Sequence, residues 1–281
     1  DNFSFDFMKY FNGEWEFMHI PLPPAPSPPP PNYGYICGGD GGTVKSNIDR
    51  ITFSFDDGTA THVGNMTVNR AVAGSNNSST HGYVCGDYQN SRIDRFTFPF
   101  DSGTASNVGN MNDGKYKLAG NNSSNHGYVC GGTLGTAGGI STIERFTFPF
   151  DSGTASIVGN TTNINYDLSA NNSSNHGYNC GGLGFYSIIN RFSFPFDSGT
   201  ANHVGNLSII NLELSANNSS VHGYTYGGND GGTGGSTNRI STINRFSFPF
   251  DSGTANHIGN LTETRKGSTA TDNTDFVLQF V

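Results

Sequence analysis

Apolar and polar residues alternate most strictly in four short stretches of this chain. Arg95-Phe96-Thr97-Phe98-Pro99-Phe100 carries three rings at every second position, and the wording returns at Phe146, Phe148 and Phe150, at Phe192, Phe194 and Phe196, and at Phe246, Phe248 and Phe250. A period of two puts all three rings on one face of an extended backbone, so each stretch is a predicted β-strand. A packed ring buries at least ~150 Å², and the stripes are expected to glue one sheet to the next. Pro99, Pro149, Pro195 and Pro249 cannot donate to a ladder, which predicts a bulge or strand end there. Asp101-Ser102-Gly103 then reads as a type I turn with glycine in the left-handed position, reversing the chain into a strand over Ala105 to Met111.

Two further strands precede each stripe. A small, polar run such as Ala71 to Thr80 leads through a His81-Gly82 turn into Tyr83 to Cys85, which ends at glycine. The Gly-Tyr element recurs at Tyr35, Tyr83, Tyr128, Tyr178 and Tyr224, with gaps of 48, 45, 50 and 46 residues. That period is too long for ankyrin or leucine-rich repeats and suits the four-stranded blades of a β-propeller. Length varies at one place in every unit, between the second and third strands, where Gly131 to Gly139 and Gly227 to Gly235 are insertions. Insertions at a fixed position map to one rim of the disc.

The ends of the chain complement each other. Phe3 to Phe7 and Gly13 to Phe17 read as a third and fourth strand, whereas Thr269 to Asn273 and Asp275 to Phe280 read as a first and second. Together they predict a sixth, composite blade that removes exposed edges. The expected fold is therefore an all-β, six-bladed β-propeller of four-stranded antiparallel blades in a single domain over 1–281. Residues 1–20 and 262–281 share the sixth blade, and the others run approximately over 21–66, 67–111, 112–161, 162–207 and 208–261. The Pro-rich segment 21–32 stands where the first strand of the first unit belongs, either as an irregular inner strand or as a linker crossing a face.

Composition narrows the function. Charged residues are 13% of the chain while aromatics are 12%, the mark of a core built from Phe and Tyr and not of a disordered chain. A formal charge of −8 argues against a nucleic-acid or anionic-membrane surface. No stretch reaches the 18 or so apolar residues of a membrane span, and no signal peptide is evident, so membrane insertion is not expected. The first residue is not Met, which is expected of a processed chain or a fragment. Cys37, Cys85, Cys130 and Cys180 hold one position in four successive units, too far apart for disulfides, and read as buried thiols favouring a reducing compartment of synthesis.

The units resemble the kelch repeat. Tyr128-Val129-Cys130-Gly131-Gly132 with Ile143-Glu144-Arg145-Phe146, and Tyr178 to Gly182 with Ile189 to Phe192, follow the kelch order over roughly residues 33–261. The Trp that kelch units carry in the fourth strand is missing from all five copies, and the Arg before the first strand stands only at Arg70 and Arg265. The local wording is also similar to repeat proteins of marine bacteriophages and bacteria, and that resemblance implies a virion component made in the host cytoplasm.

Recurring polar residues have structural expectations. His81, His126, His176 and His222 form a ring at the turn between the first two strands, which reads as turn structure ahead of a metal site, because one imidazole per blade rarely converges on an ion. Arg50, Arg95, Arg145, Arg191 and Arg245 are expected to fork onto a carboxylate or carbonyls of the next blade, with anion binding as the other reading. Asn-Asn-Ser-Ser at 76–79, 121–124, 171–174 and 217–220 is expected to line a wet channel. Those runs, and Asn65, Asn160, Asn206 and Asn260, match the N-glycosylation pattern, which has meaning only in a eukaryotic secretory setting.

Catalytic patterns do not emerge. Asp101-Ser102-Gly103-Thr104 looks like a sialidase Asp box but lacks its Ser and Trp, and no Tyr, Cys and His cluster of the copper-radical type breaks the repeat. The chain is thus expected to be no enzyme, with no catalytic residue, metal or cofactor. The preferred expectation is a structural or adhesive bacteriophage module, such as a tail appendage or a fibre-associated or capsid-surface protein, whose partners are other proteins of a larger assembly. The alternative is an extracellular or cell-surface lectin-like or matrix propeller that binds glycans. Binding is expected at the variable loops through Asp40, Lys45, Tyr88, Asn90, Thr133, Phe185, Tyr186, Asn229 and Asp230.

Overall fold

The computed structural model describes residues 5–11, 14–20, 33–40, 42–53, 56–88, 90–135, 138–184, 186–231, 238–267 and 277–279. For the strands at the two ends the backbone alone is described. The chain divides into a unit over 1–31 and a unit over 32–281. In the first, β1 (Phe5–Phe11) and β2 (Glu14–Ile20) pair as an antiparallel hairpin.

The second unit is a β-propeller of small sheets, compatible with a kelch-like architecture. Blade 1 contains β3 (Tyr33–Cys37), β4 (Lys45–Thr52) and β5 (Thr61–Arg70). Blade 2 contains β6 (Gly74–Asn77), β7 (His81–Asp87), β8 (Asn90–Thr97) and β9 (Ser106–Asn110). Blade 3 contains β10 (Ala119–Asn122), β11 (His126–Cys130), β12 (Ile140–Thr147) and β13 (Ser156–Asn165). Blade 4 contains β14 (Ser169–Asn172), β15 (His176–Cys180), β16 (Ile188–Ser193) and β17 (Asn202–Asn206). Blade 5 contains β18 (Ser215–Asn218), β19 (His222–Tyr226), β20 (Thr242–Ser247) and β21 (Asn256–Asn260).

Among the described residues five blades form, not the expected six, and the described strands of the two termini do not share a sheet. The hairpin β1–β2 is a two-stranded sheet of its own, and β22 (Val277–Gln279) lies parallel to β3 as the inner strand of blade 1. Blade 1 therefore has three antiparallel strands of its own plus a borrowed one. The reason lies in the sequence: eight of the eleven residues from Pro21 to Pro31 are proline and have no N–H to give a ladder. The inner strand of blade 1 comes from the C-terminal segment, and the Pro-rich segment 21–32 itself lies outside the described residues.

One set of contacts joins blade to blade. Phe146 of blade 3 lies tilted at 59° and Phe148 stacks against Tyr83 of blade 2, with ring centroids 5.3 and 5.1 Å apart, and the arrangement repeats from Tyr35, Tyr128 and Tyr178. Each of these tyrosines accepts a hydrogen bond at its hydroxyl from a backbone N–H of the next blade, as Tyr83 does from Phe150 at 3.1 Å. Asn110 N donates to Gly153 O and Ala155 N donates back to Asn110 O, a reciprocal pair found at all four junctions. The glycine before that asparagine is required by close approach, since a methyl at Gly109 would strike the Gly153 carbonyl.

The inner strands are stapled by asparagine. Asn121 is fully buried, and its Nδ2 donates to Asn171 O at 3.0 Å, Asn172 Oδ1 at 3.1 Å and Tyr178 O at 3.2 Å. Its Oδ1 faces the Cys130 thiol at 3.5 Å, and Asn76 and Asn171 repeat the pattern with Cys85 and Cys180. Asn76, Asn121 and Asn171, the first asparagines of three of the four runs, thus face the neighbouring blade and not a wet channel. All four cysteines are free and buried, and burial raises every thiol pKa, that of Cys130 to about 12.

Candidate functional site

Four-stranded blades leave two rims with different chemistry. One rim gathers the turns between first and second strands and between third and fourth, and its wording is nearly constant. Ser78 Oγ accepts from His81 N at 3.0 Å, and Ser123, Ser173 and Ser219 do the same for His126, His176 and His222. At the other turn Arg50, Arg95, Arg145 and Arg191 each donate to a Phe carbonyl and to the aspartate after it on the next blade, namely Asp101, Asp151, Asp197 and Asp251. These arginines are committed to packing, and among the described residues Arg245 makes no such bond. No group of three or more His, Cys, Asp or Glu side chains suited to a metal ion occurs among the described residues.

Three of the histidines are expected to make stability depend on pH. Burial, and then the charge of Arg95, Arg145 or Arg191, lowers the pKa of His81, His126 and His176 below the ordinary 6.5, against a weaker pull from the aspartates. A base with a depressed folded pKa adds stability that is present above its unfolded value and lost as pH falls through the folded one. The urea midpoint is therefore expected to fall as pH drops below about 6.5, and a triple His→Asn variant should flatten that profile. An unchanged slope in the triple variant would exclude these side chains as its source.

The opposite rim carries what the repeat does not explain. It is formed by the loops between second and third strands and by the connectors between blades, and the expected binding residues sit here. Tyr88 is 62% exposed, Asp40 and Lys45 are exposed, and Asn90, Tyr186 and Asp230 are half-buried. Thr133 and Asn229 are buried and brace the loops: Thr133 bridges to Tyr116 and Gly139, and Asn229 to Leu212 and Arg239. Phe185 lies outside the described residues.

The connectors add residues that the loop insertions did not point to. Val72, Lys117, Asp167 and Glu213 occupy equivalent places and all have positive φ, at 50°, 57°, 57° and 53°. They are chained through the backbone: Lys117 N donates to Val72 O, Asp167 N to Lys117 O, Glu213 N to Asp167 O and Gly267 N to Glu213 O, at 2.7–3.0 Å. Lys117 pairs with Asp167 at 2.7 Å and Lys266 with Glu213 at 2.6 Å, and the Lys117 ammonium lies 5.6 Å from the centre of the Tyr166 ring. Burial, with Glu213 adding its charge, pushes the Asp167 carboxyl pKa up against the pull of Lys117. The sequence signal was available, as Val72, Lys117, Asp167 and Glu213 stand at one fixed position of connectors of equal length and differ in charge.

Left-handed backbone at a β-branched residue is strained, by roughly 1–2 kcal/mol. Val72→Gly is expected to stabilise the fold by about 1 kcal/mol, read as a rise in Tm. A fall would show that the half-exposed valine side chain contributes more than its backbone costs.

Exposed apolar side chains gather on the same rim. Val44, Val72, Tyr88, Ile164 and Ile210 stand there, against Ile157, Val221 and Ile258 elsewhere among the described residues. The Tyr88 and Tyr116 rings lie 4.6 Å apart, forming an aromatic ledge beside the charged connectors. Apolar side chains rimmed by charge are the ordinary chemistry of a contact surface. No protein-family model matches this chain, and no curated protein is significantly similar to it in sequence.

Proposed function

We propose that the protein is a non-enzymatic structural and adhesive module that engages its partners through the loop rim. The observation that carries this reading is the concentration of exposed apolar groups and repeat-breaking charges on one rim, while the other spends its charges on bonds between blades. A rigid scaffold with one variable face suits a part of a larger assembly. The setting proposed is a bacteriophage virion, as a tail appendage or a fibre-associated or capsid-surface protein. Fold alone does not imply this; the wording of the repeats and the absence of a repeat-breaking catalytic cluster favour it.

The Tyr88–Tyr116 ledge supports a second reading, a glycan-binding propeller of a cell surface or matrix. Exposed aromatic faces pack against the C–H face of a sugar ring, and the neighbouring Lys117 and Asp167 offer polar partners.

Mass spectrometry of native material separates the two. Co-purification with capsid or tail proteins is expected, and it should be lost in a Tyr88→Ala, Ile164→Ser, Ile210→Ser variant whose Tm is unchanged. Asn-linked glycans at the exposed Asn160 and Asn260 would overturn the virion reading. Glycan-array binding abolished by the same triple variant would establish the lectin reading. Partner capture lost only with Ser102→Lys and Ser152→Lys would place the contact on the turn rim instead.

A further inference from the structure

Blades 1 to 5 meet through four copies of one interface, and the matching steps on the two outer faces of this series are not joined to each other among the described residues. At each junction a Gly-Asn step on the outgoing face, Gly64-Asn65, Gly109-Asn110, Gly159-Asn160 or Gly205-Asn206, meets a Gly-Thr-Ala step on the incoming one. Blade 5 ends in Gly259-Asn260, and blade 1 begins its reply with Gly58-Thr59-Ala60. Among the described residues no bond joins them. A methyl built on Gly259 meets nothing within 4 Å, and Ile258 is 45% exposed where Val63, Val108, Val158 and Val204 are buried. On blade 1, Ile51 and Ala60 are half-buried where Phe96 and Ala105 are buried.

Charge matching identifies the partner. Five residues after the asparagine of each Gly-Asn step the connector carries a residue matched to the third strand of the next blade: Arg70 meets Asp94 at 2.8 Å and Lys115 meets Glu144 at 2.8 Å, and where that strand carries neutral Asn190 or Asn244 the same connector position holds Asn165 or Asn211. Cation faces carboxylate twice, and neutral faces neutral twice. The corresponding residue on the connector leaving blade 5 is Arg265, whose carbonyl accepts from Gly228 N as that of Arg70 does from Gly39 N. Its side chain is exposed. The residue of blade 1 at the place of Asp94 and Glu144 is Asp49, whose carboxylate is 36% exposed and has His62 3.2 Å away. A cation with no carboxylate partner among the described residues, and a carboxylate whose neighbour is His62, thus stand on the two outer halves.

We infer that blade 5 docks on blade 1 of the same chain through a fifth copy of this interface, with Asn260 bonded to Gly58 and Ala60, and Arg265 paired with Asp49. The tether favours the same chain over a second copy, because linked faces meet at an effective concentration of about millimolar.

The test is a cysteine pair in the full chain, Thr59→Cys with Asn260→Cys, beside a control pair at an existing junction, Thr104→Cys with Asn65→Cys. The native thiols are buried and should stay silent. Under conditions that oxidise the control, the 59/260 pair is expected to form an intrachain disulfide, seen as a faster monomer band on a non-reducing gel at low micromolar concentration. A 59/260 pair that stays reduced overturns the inference. So does a pair that crosslinks only between chains, which would assign the two faces to a contact between copies. Arg265→Asp and Asp49→Arg should each lower Tm by roughly 3 °C, and the double reversal should restore it. Single reversals without effect would remove the ion pair from the interface.

Discussion

Alanine at Glu144 is expected to lower the unfolding free energy by about 3–5 kcal/mol. Glu144 and Lys115 are both fully buried, with Lys115 Nζ 2.8 Å from one carboxylate oxygen and Asn112 N donating to the other at 2.8 Å. Truncation leaves the ammonium in the blade 2–blade 3 junction with the Thr142 hydroxyl, 3.4 Å away, as its one hydrogen-bond partner among the described residues. The cost is that of an unpaired buried charge and not the worth of the pair, so the companion variant decides the interpretation. Lys115→Met with Glu144→Leu removes both charges at similar volume and should recover most of the loss. The neighbouring junction, where Thr162 meets Asn190, already does without charge. Urea titrations with unchanged m-values would measure both variants. A double variant as unstable as the single one would mean that the pair itself stabilises the junction beyond what packing can replace.

The legible parts of the fold are those that repeat. The Phe stripe, the Asp-Ser-Gly turn and the cysteine column each occur four times or more, so the periodicity revealed the strand order, the blade-to-blade packing and the location of the variable rim. Legibility stopped where the repeat stopped. The hairpin Phe5–Ile20 reads in sequence like a third and fourth strand, and pattern alone could not say that it forms a separate sheet. Nor does any local signal mark Val277–Gln279 as a parallel strand, because its partner strand Tyr33–Cys37 lies more than two hundred residues away in sequence.

The rim illustrates a different limit. Loop length drew attention to Thr133 and Asn229, which the structure buries as braces, and away from Lys117, Asp167 and Glu213, which sit in connectors of constant length. Insertions report where a loop can grow. Substitution at a constant position reports where chemistry has changed, and it was the better guide here.

Phe146→Ala is expected to cost about 3–5 kcal/mol, well above the cost of Phe148→Ala on the same strand face. Phe146 is 3% exposed and touches rings on two blades, with centroids 5.3 Å from Tyr83, 5.6 Å from Phe148 and 5.1 Å from Phe150. It also fills the space over Gly127, where any side chain on the facing strand would collide with it, so the cavity left by truncation cannot be closed from that side. Phe148 stacks on Tyr83 with its other face partly in water and can be lost more cheaply. A double-mutant cycle of Phe146→Ala with Tyr83→Leu should give a coupling of about 0.5–1.5 kcal/mol, because the two rings form one contact across the blade 2–blade 3 junction. Strictly additive losses would mean that the stripe joins blades through buried area alone, and that the steeply inclined ring geometry repeated at all four junctions follows from the backbone register that the Gly-Asn steps impose.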